Sequence, residues 1–267
     1  MDERKVVVAF FDLDHTLLDG SSGNIYALLM VRNGQMRARS LFWVIWYSIL
    51  YRLNRLPKRE VYMKVLEVMG QYPVLEMIEM MDYGFEKMIM PRLFKGGVEI
   101  VKRHKEMGHI TVVATAAGEY VAERVRVQLG ADGVIATPIP ISGDRITGKL
   151  DGPTAFMDEK LEMARAYCES VGANLSDCYF YSDSASDLPL LAAVGHPVMV
   201  NPHFGLRIAA RGKGWPVLKF KEHASFDRVR RPERFLSPEM DYYSSLYEKA
   251  RAKEKSEEAI WQQDSSI

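Results

Sequence analysis

The chain has 267 residues, 48% hydrophobic and 26% charged, enough for one large α/β domain with an insertion or for two small domains. Its 35 Lys and Arg balance 35 Asp and Glu, which gives no support to bulk nucleic-acid binding. Cys168 and Cys178 have neither metal-ligand nor redox-motif spacing, and the first apolar run is too short for a secretory leader, so a reducing cytoplasm is the expected compartment.

Residues 5–12 (KVVVAFFD) are a continuous apolar run of strand length, suited to a strand buried on both faces of a parallel sheet. The run ends at Asp12 and Asp14, two like charges one residue apart. Such a pair needs positive charge nearby.

From 19 to about 94 no convincing strand is found. Four helical segments are read there, near 23–35, 38–55, 58–71 and 74–90, with breaks at Pro57, Pro73 and Pro91. Nine of the fifteen methionines fall in this insertion, which favours an adaptable apolar surface. Ten of the eleven residues in LFWVIWYSILY (41–51) are apolar or aromatic, with Arg on both flanks. That is too short to span a bilayer. It reads either as a helix buried against its neighbours or as an apolar surface for peripheral contact with a membrane or a lipid-like leaving group.

Beyond 95, strands and helices alternate. HITVVAT (109–115), CYFYSD (178–183) and HPVMVN (196–201) read as strands, and GWPVLKF (214–220) as a weaker fifth. Helical patterns lie between them, and two β-rich runs around SGDR within 133–150 suggest a hairpin. The expected fold is α/β, a doubly wound Rossmann-like parallel sheet interrupted by an all-helical insertion. A charged tail follows, with one helix expected near 237–263.

In open α/β sheets, ligands bind beyond the carboxyl ends of the strands. Asp12, Asp14, Thr115 and Asp183 all stand at such ends, and Asp187 follows closely. Carboxylates gathered there call for a hard dication, and Mg²⁺ is the common choice. A carboxylate beside Mg²⁺ can attack a phosphoryl group and form an aspartyl phosphate. Asp14 is placed to protonate the leaving alcohol and then activate water. Thr115 and backbone N–H groups near Ala116 to Gly118, at an expected helix start, can hold phosphate oxygens. Lys160 can supply positive charge to nucleophile and phosphate. Asp187 could equally cap the helix after it.

These motifs resemble the haloacid dehalogenase (HAD) superfamily in its phosphatase branch. DLDHT, Thr115, Lys160 and YSDSASDLPLL match its four motifs in order. The chain is most similar to the phosphoserine-phosphatase-like subgroup. The resemblance implies a catalytic core over 1–18 and 95–222, a helical type 1 cap over 19–94 and a tail over 223–267. It also implies Asp12 as nucleophile and Asp14 as general acid/base. Mg²⁺ would lie on Asp12, the Asp14 backbone carbonyl and Asp183, with Asp187 in support. Phosphoserine phosphatases usually carry a Glu soon after the first motif and Ser-Gly-Gly at the second; here stand LLDGSSGN and TAA. The implied substrate is a small or amphiphilic phosphomonoester of the phosphoserine-like branch, and these departures count against phosphoserine itself. A phosphotransferase or mutase, or a phospho-accepting receiver-like module, uses similar parts.

Overall fold

The computed structural model describes residues 5–34, 72–150 and 152–231 without a break, with single residues and short runs between 36 and 70 and between 238 and 252. Apart from those single residues and short runs, the expected segments 38–55 and 58–71, the 41–51 stretch and most of the expected helix near 237–263 lie outside the described residues.

Strand β1 (Val8–Phe11) leads to helix α1 (Ser22–Arg32). Helix α2 (Val74–Gly84) runs into a π-helical turn (Phe85–Ile89) and a 3-10 turn (Met90–Arg92). Then come α3 (Lys95–Glu106), β2 (Ile110–Gly118), α4 (Glu119–Leu129), β3 (Gly133–Thr137), β4 (Ile141–Ser142) and β5 (Arg145–Ile146). The chain continues through α5 (Asp158–Ser170), β6 (Tyr179–Ser182), α6 (Leu188–Ala193), β7 (His196–Val200), α7 (Phe204–Ala209) and β8 (Val217–Leu218). No described helix is long and apolar enough to cross a membrane.

Six strands form one sheet in the order β3-β2-β1-β6-β7-β8, and every pairing in it is parallel. β1 is central, and its continuous apolarity follows from burial on both faces. Ala9 and Phe11 join one core cluster, whereas Val8 and Phe10 join the other, as the two-residue period of a strand requires. Phe11 stands opposite Val113 of β2 and Tyr181 of β6. The carboxyl ends of β2, β1 and β6 therefore lie side by side.

The run GVIAT, read together with the hairpin, is instead the sixth strand of the main sheet, paired with β2. The intervening α4 supplies the crossover that parallel neighbours need, and Gly130 ends that helix at φ +66°, a left-handed conformation open to glycine. Only β4 and β5 form the hairpin, with Ile141 opposite Ile146. The hairpin holds the start of α2: Val74 N donates to Asp144 O at 2.9 Å, and Ile146 N to Tyr72 O at 3.0 Å.

The two chain crossings at the insertion are paired with each other. Asp19 N donates to Arg92 O at 2.9 Å and Phe94 N to Leu17 O at 2.8 Å. The insertion thus springs from one edge of the sheet on two adjacent strands of backbone.

Candidate active site

Asp12 continues the ladder of β1 by one rung, its N–H donating to Tyr181 O at 2.9 Å. Beyond it the chain turns tightly, with the N–H groups of Thr16, Leu17 and Leu18 all directed at Leu13 O. His15 takes φ 61° in that turn, an uncommon conformation for a non-glycine residue. The turn aims Asp14 at the start of α1, where Ser21 Oγ donates to Asp14 Oδ2 at 3.2 Å and Ser22 N to Oδ1 at 2.9 Å.

Lys160 sits in the first turn of α5, just after Met157, which is held at φ 49°. Its ammonium is 2% exposed and lies 3.1 Å from Asp12 Oδ1 and 2.8 Å from Asp187 Oδ1. One buried cation therefore bridges the end of β1 and the turn after β6. Asp187 also accepts a hydrogen bond from Ser182 Oγ at 2.7 Å. Its side chain makes no capping bond to α6, so its bonds run toward the site. Asp183 is buried, and its backbone carbonyl accepts from His203 N at 2.9 Å.

Thr115 is buried beside β1, with its hydroxyl oxygen accepting from Ala117 N at 3.1 Å. The expected helix start near 116–118 is displaced. β2 persists to Gly118 through a register shift, and α4 begins at Glu119. Thr137 Oγ1 donating to Ala116 O at 3.0 Å helps hold this irregular stretch.

Burial raises the Asp12 carboxyl to about 7, with Lys160 opposing and Asp187 and Asp14 adding to the rise. Burial also raises Asp14, against the hydrogen bonds from Ser22 and Ser21. The Lys160 ammonium is pushed up by Asp12 and Asp187, which outweigh its desolvation. Asp12, Asp14 and Asp187 thus share a small region with Lys160, three carboxyls to one ammonium among the described residues, which leaves the site short of positive charge.

That shortage, and a donor set made of oxygen, fit a hard dication. Among the described residues, no group of three or more His, Cys, Asp or Glu side chains is arranged to hold a metal ion.

Of the residues that the sequence reading brought to one site, the structure joins Asp12 and Asp187 through Lys160 with Asp14 nearby, and sets Thr115 on β2 and Asp183 just after β6, the two strands that flank β1. The sequence reading gave no role to Ser21 and Ser22 on Asp14, nor to Ser182 on Asp187. Ser21 preceding a helical run is a recognisable N-cap signal, but which carboxylate faces it depends on the turn at His15.

Residues 9–192 match the family model for haloacid dehalogenase-like hydrolases. A probable phosphatase of Mycobacterium tuberculosis is 29% identical over 233 residues, covering 86% of this chain and 81% of that protein. A histidinol-phosphatase of Neisseria meningitidis is 29% identical over 221 residues, 80% of this chain and 99% of that protein. The fold resembles a substrate-bound phosphoserine phosphatase with a TM-score of 0.65 at 18% identity, over 81% of this chain and 94% of that one.

Proposed function

This chain belongs to the haloacid dehalogenase-like hydrolases, and from that premise we propose that it hydrolyses a small phosphomonoester through a phosphorylated Asp12. The observation that carries the reading is the Lys160 bridge between Asp12 and Asp187 at the junction of β1 and β6.

In this reading Asp12, the Asp14 backbone carbonyl and Asp183 would hold Mg²⁺, with Asp187 in support. The bound ion supplies charge neutralisation between the attacking carboxylate and the phosphate. Lys160 keeps Asp12 oriented and adds positive charge on the phosphate side. Thr115 and the backbone near Ala116 hold phosphate oxygens. Asp12 forms a bond to phosphorus as the ester oxygen leaves, and Asp14 gives that oxygen its proton. Asp14 then takes a proton from the water that attacks the aspartyl phosphate. Ser21 and Ser22 aim Asp14 for both transfers. The helical insertion acts as a cap that excludes bulk water and selects the leaving group.

A panel of phosphomonoesters assayed with Mg²⁺ tests this, with histidinol phosphate first, because the Neisseria relative is named for it, then phosphoserine and sugar, choline-type and lipid phosphates. At least one ester is expected to be turned over, and Asp12→Asn is expected to abolish that turnover with the fold intact. Turnover by Asp12→Asn at the wild-type rate would overturn the mechanism.

A further inference from the structure

The chain beyond β8 is tied down where the insertion joins the core. Asn201 grips Phe220 with its side-chain amide, accepting from Phe220 N at 3.0 Å and donating to Phe220 O at 3.1 Å. Lys95 N then donates to Glu222 O at 2.8 Å, and Ala224 N to Leu93 O at 2.7 Å. His223 Nε2 lies 2.9 Å from Asp19 Oδ2. The segment therefore contacts both crossings, the outgoing one through Asp19 and the returning one through Leu93 and Lys95.

Farther on, Gln128 of α4 grips the segment in the same two-handed way. Its Nε2 donates to Arg228 O at 3.1 Å, and its Oε1 accepts from Arg230 N at 2.8 Å. A cleft of about 820 Å³ opens beside residues 228–231, walled on the other side by Lys105, Arg126 and the end of α4. Phe226 and Val229 also pack against the core, so polar and apolar contacts together hold the segment in place.

Arg231 then reaches the insertion. Its Nη1 lies 2.8 Å from Asp82 Oδ2, at the end of α2, and its Nη2 pairs with Glu86 in the π-helical turn. Asp82 is 2% exposed. From the core side Arg124 of α4 approaches the same acid, Nε to Oδ1 3.0 Å, but without the alignment of a hydrogen bond. Tyr120 Oη donates to Asp82 Oδ1 at 3.2 Å. Among the described residues, buried Asp82 and half-buried Glu86 thus meet Arg124 from the core and Arg231 from the C-terminal segment, and Arg231 also pairs with Glu248 at 2.6 Å. The planar fork of arginine presents separate N–H donors to two carboxylates in a fixed geometry. Residues 217–231 lie outside the stretch matched to the family model.

We propose that Arg231 is a positioning residue that latches the helical insertion in its closed place over the catalytic edge, acting through Asp82 and Glu86. The inference rests on reading the insertion as a cap. A latch raises the fraction of molecules with the insertion closed. Its loss lowers that fraction, and the apparent substrate affinity falls in proportion while turnover at saturation is kept.

The test uses the full chain with Arg231→Gln, and Arg228→Gln as control, since the exposed Arg228 side chain has no acid partner among the described residues. Amide hydrogen exchange is followed without substrate, then KM and kcat for p-nitrophenyl phosphate with Mg²⁺. In Arg231→Gln, exchange at Phe94, Lys95 and Ala224 is expected to rise while β1, β2 and β6 stay protected. KM is expected to rise ~10-fold with kcat within about two-fold, the signature of a reduced competent fraction. Arg228→Gln should match the wild type. Unchanged exchange at the crossings, or faster exchange with an unchanged KM, overturns the proposal. So does equal loss of protection throughout the sheet. If Arg231→Gln fails to fold, Glu86→Gln breaks the latch from the insertion side and is judged by the same outcomes. A wild type inactive on p-nitrophenyl phosphate would count against the phosphatase reading, and exchange alone would still decide the latch.

Discussion

Lys160 holds a position no neutral side chain could fill. Its ammonium stands between Asp12 and Asp187, both buried, with Asp14 also raising the Asp12 carboxyl. Replacing it by Met leaves buried carboxylates without their cation, a change of the kind that costs about 3–5 kcal/mol when a buried pair loses one member. The carboxyls then escape part of that cost by binding protons, which disables Asp12 as a nucleophile. Lys160→Met is accordingly expected to lower kcat by at least ~100-fold, measured with whichever ester the panel identifies. A kcat within a few-fold of wild type would remove Lys160 from the mechanism. These residues were legible in the sequence because each directly follows an apolar strand run or opens a helix. The duty of Ser21 was not, because it depends on the left-handed turn at His15 rather than on any periodicity.

At the scale of elements, α3 covers a second polar cluster, which runs from His109 before β2 to Tyr181 on β6. His104 of α3 is 3% exposed. Its Nδ1 lies 2.8 Å from His109 Nδ1, and its Nε2 2.8 Å from Tyr181 Oη on β6. Burial, then His109 and Arg103, lowers its pKa to about 4, and burial, then His196, lowers His109. The folded state therefore binds fewer protons than the unfolded chain between about pH 4 and 6.5. Stability from this cluster is full above about pH 6.5 and is lost as pH falls toward 4, by up to ~3 kcal/mol. Urea unfolding across that range is expected to show the decline, and His104→Phe to flatten it while lowering stability at neutral pH. An undiminished slope in His104→Phe would place the effect elsewhere. Most strands could be read from apolar runs closing on polar residues. GVIAT was merged with the hairpin because TPIPIS continues its apolar character, and what sets it apart is its parallel pairing with β2 across the α4 crossover.

For the whole molecule, the sheet sets the chemistry at one edge, and the insertion and the C-terminal segment meet beside that edge. The alternation of strands and helices made the core readable from local pattern alone. The packing of residues 217–231 was not readable, since it rests on partners as far as 204 residues away, such as Asn201 with Phe220, Asp82 with Arg231 and Asp19 with His223. Such pairings carry no local signature. The central claim concerns the Asp12 carboxylate, and phosphoryl mapping tests it most directly. Enzyme turning over an active ester with Mg²⁺ is quenched in acid, digested at low pH and analysed by mass spectrometry. The account predicts a phosphoryl group on the peptide bearing Asp12, sensitive to hydroxylamine and missing from Asp12→Asn. Turnover with the label on another residue, or undiminished in Asp12→Asn, would contradict it.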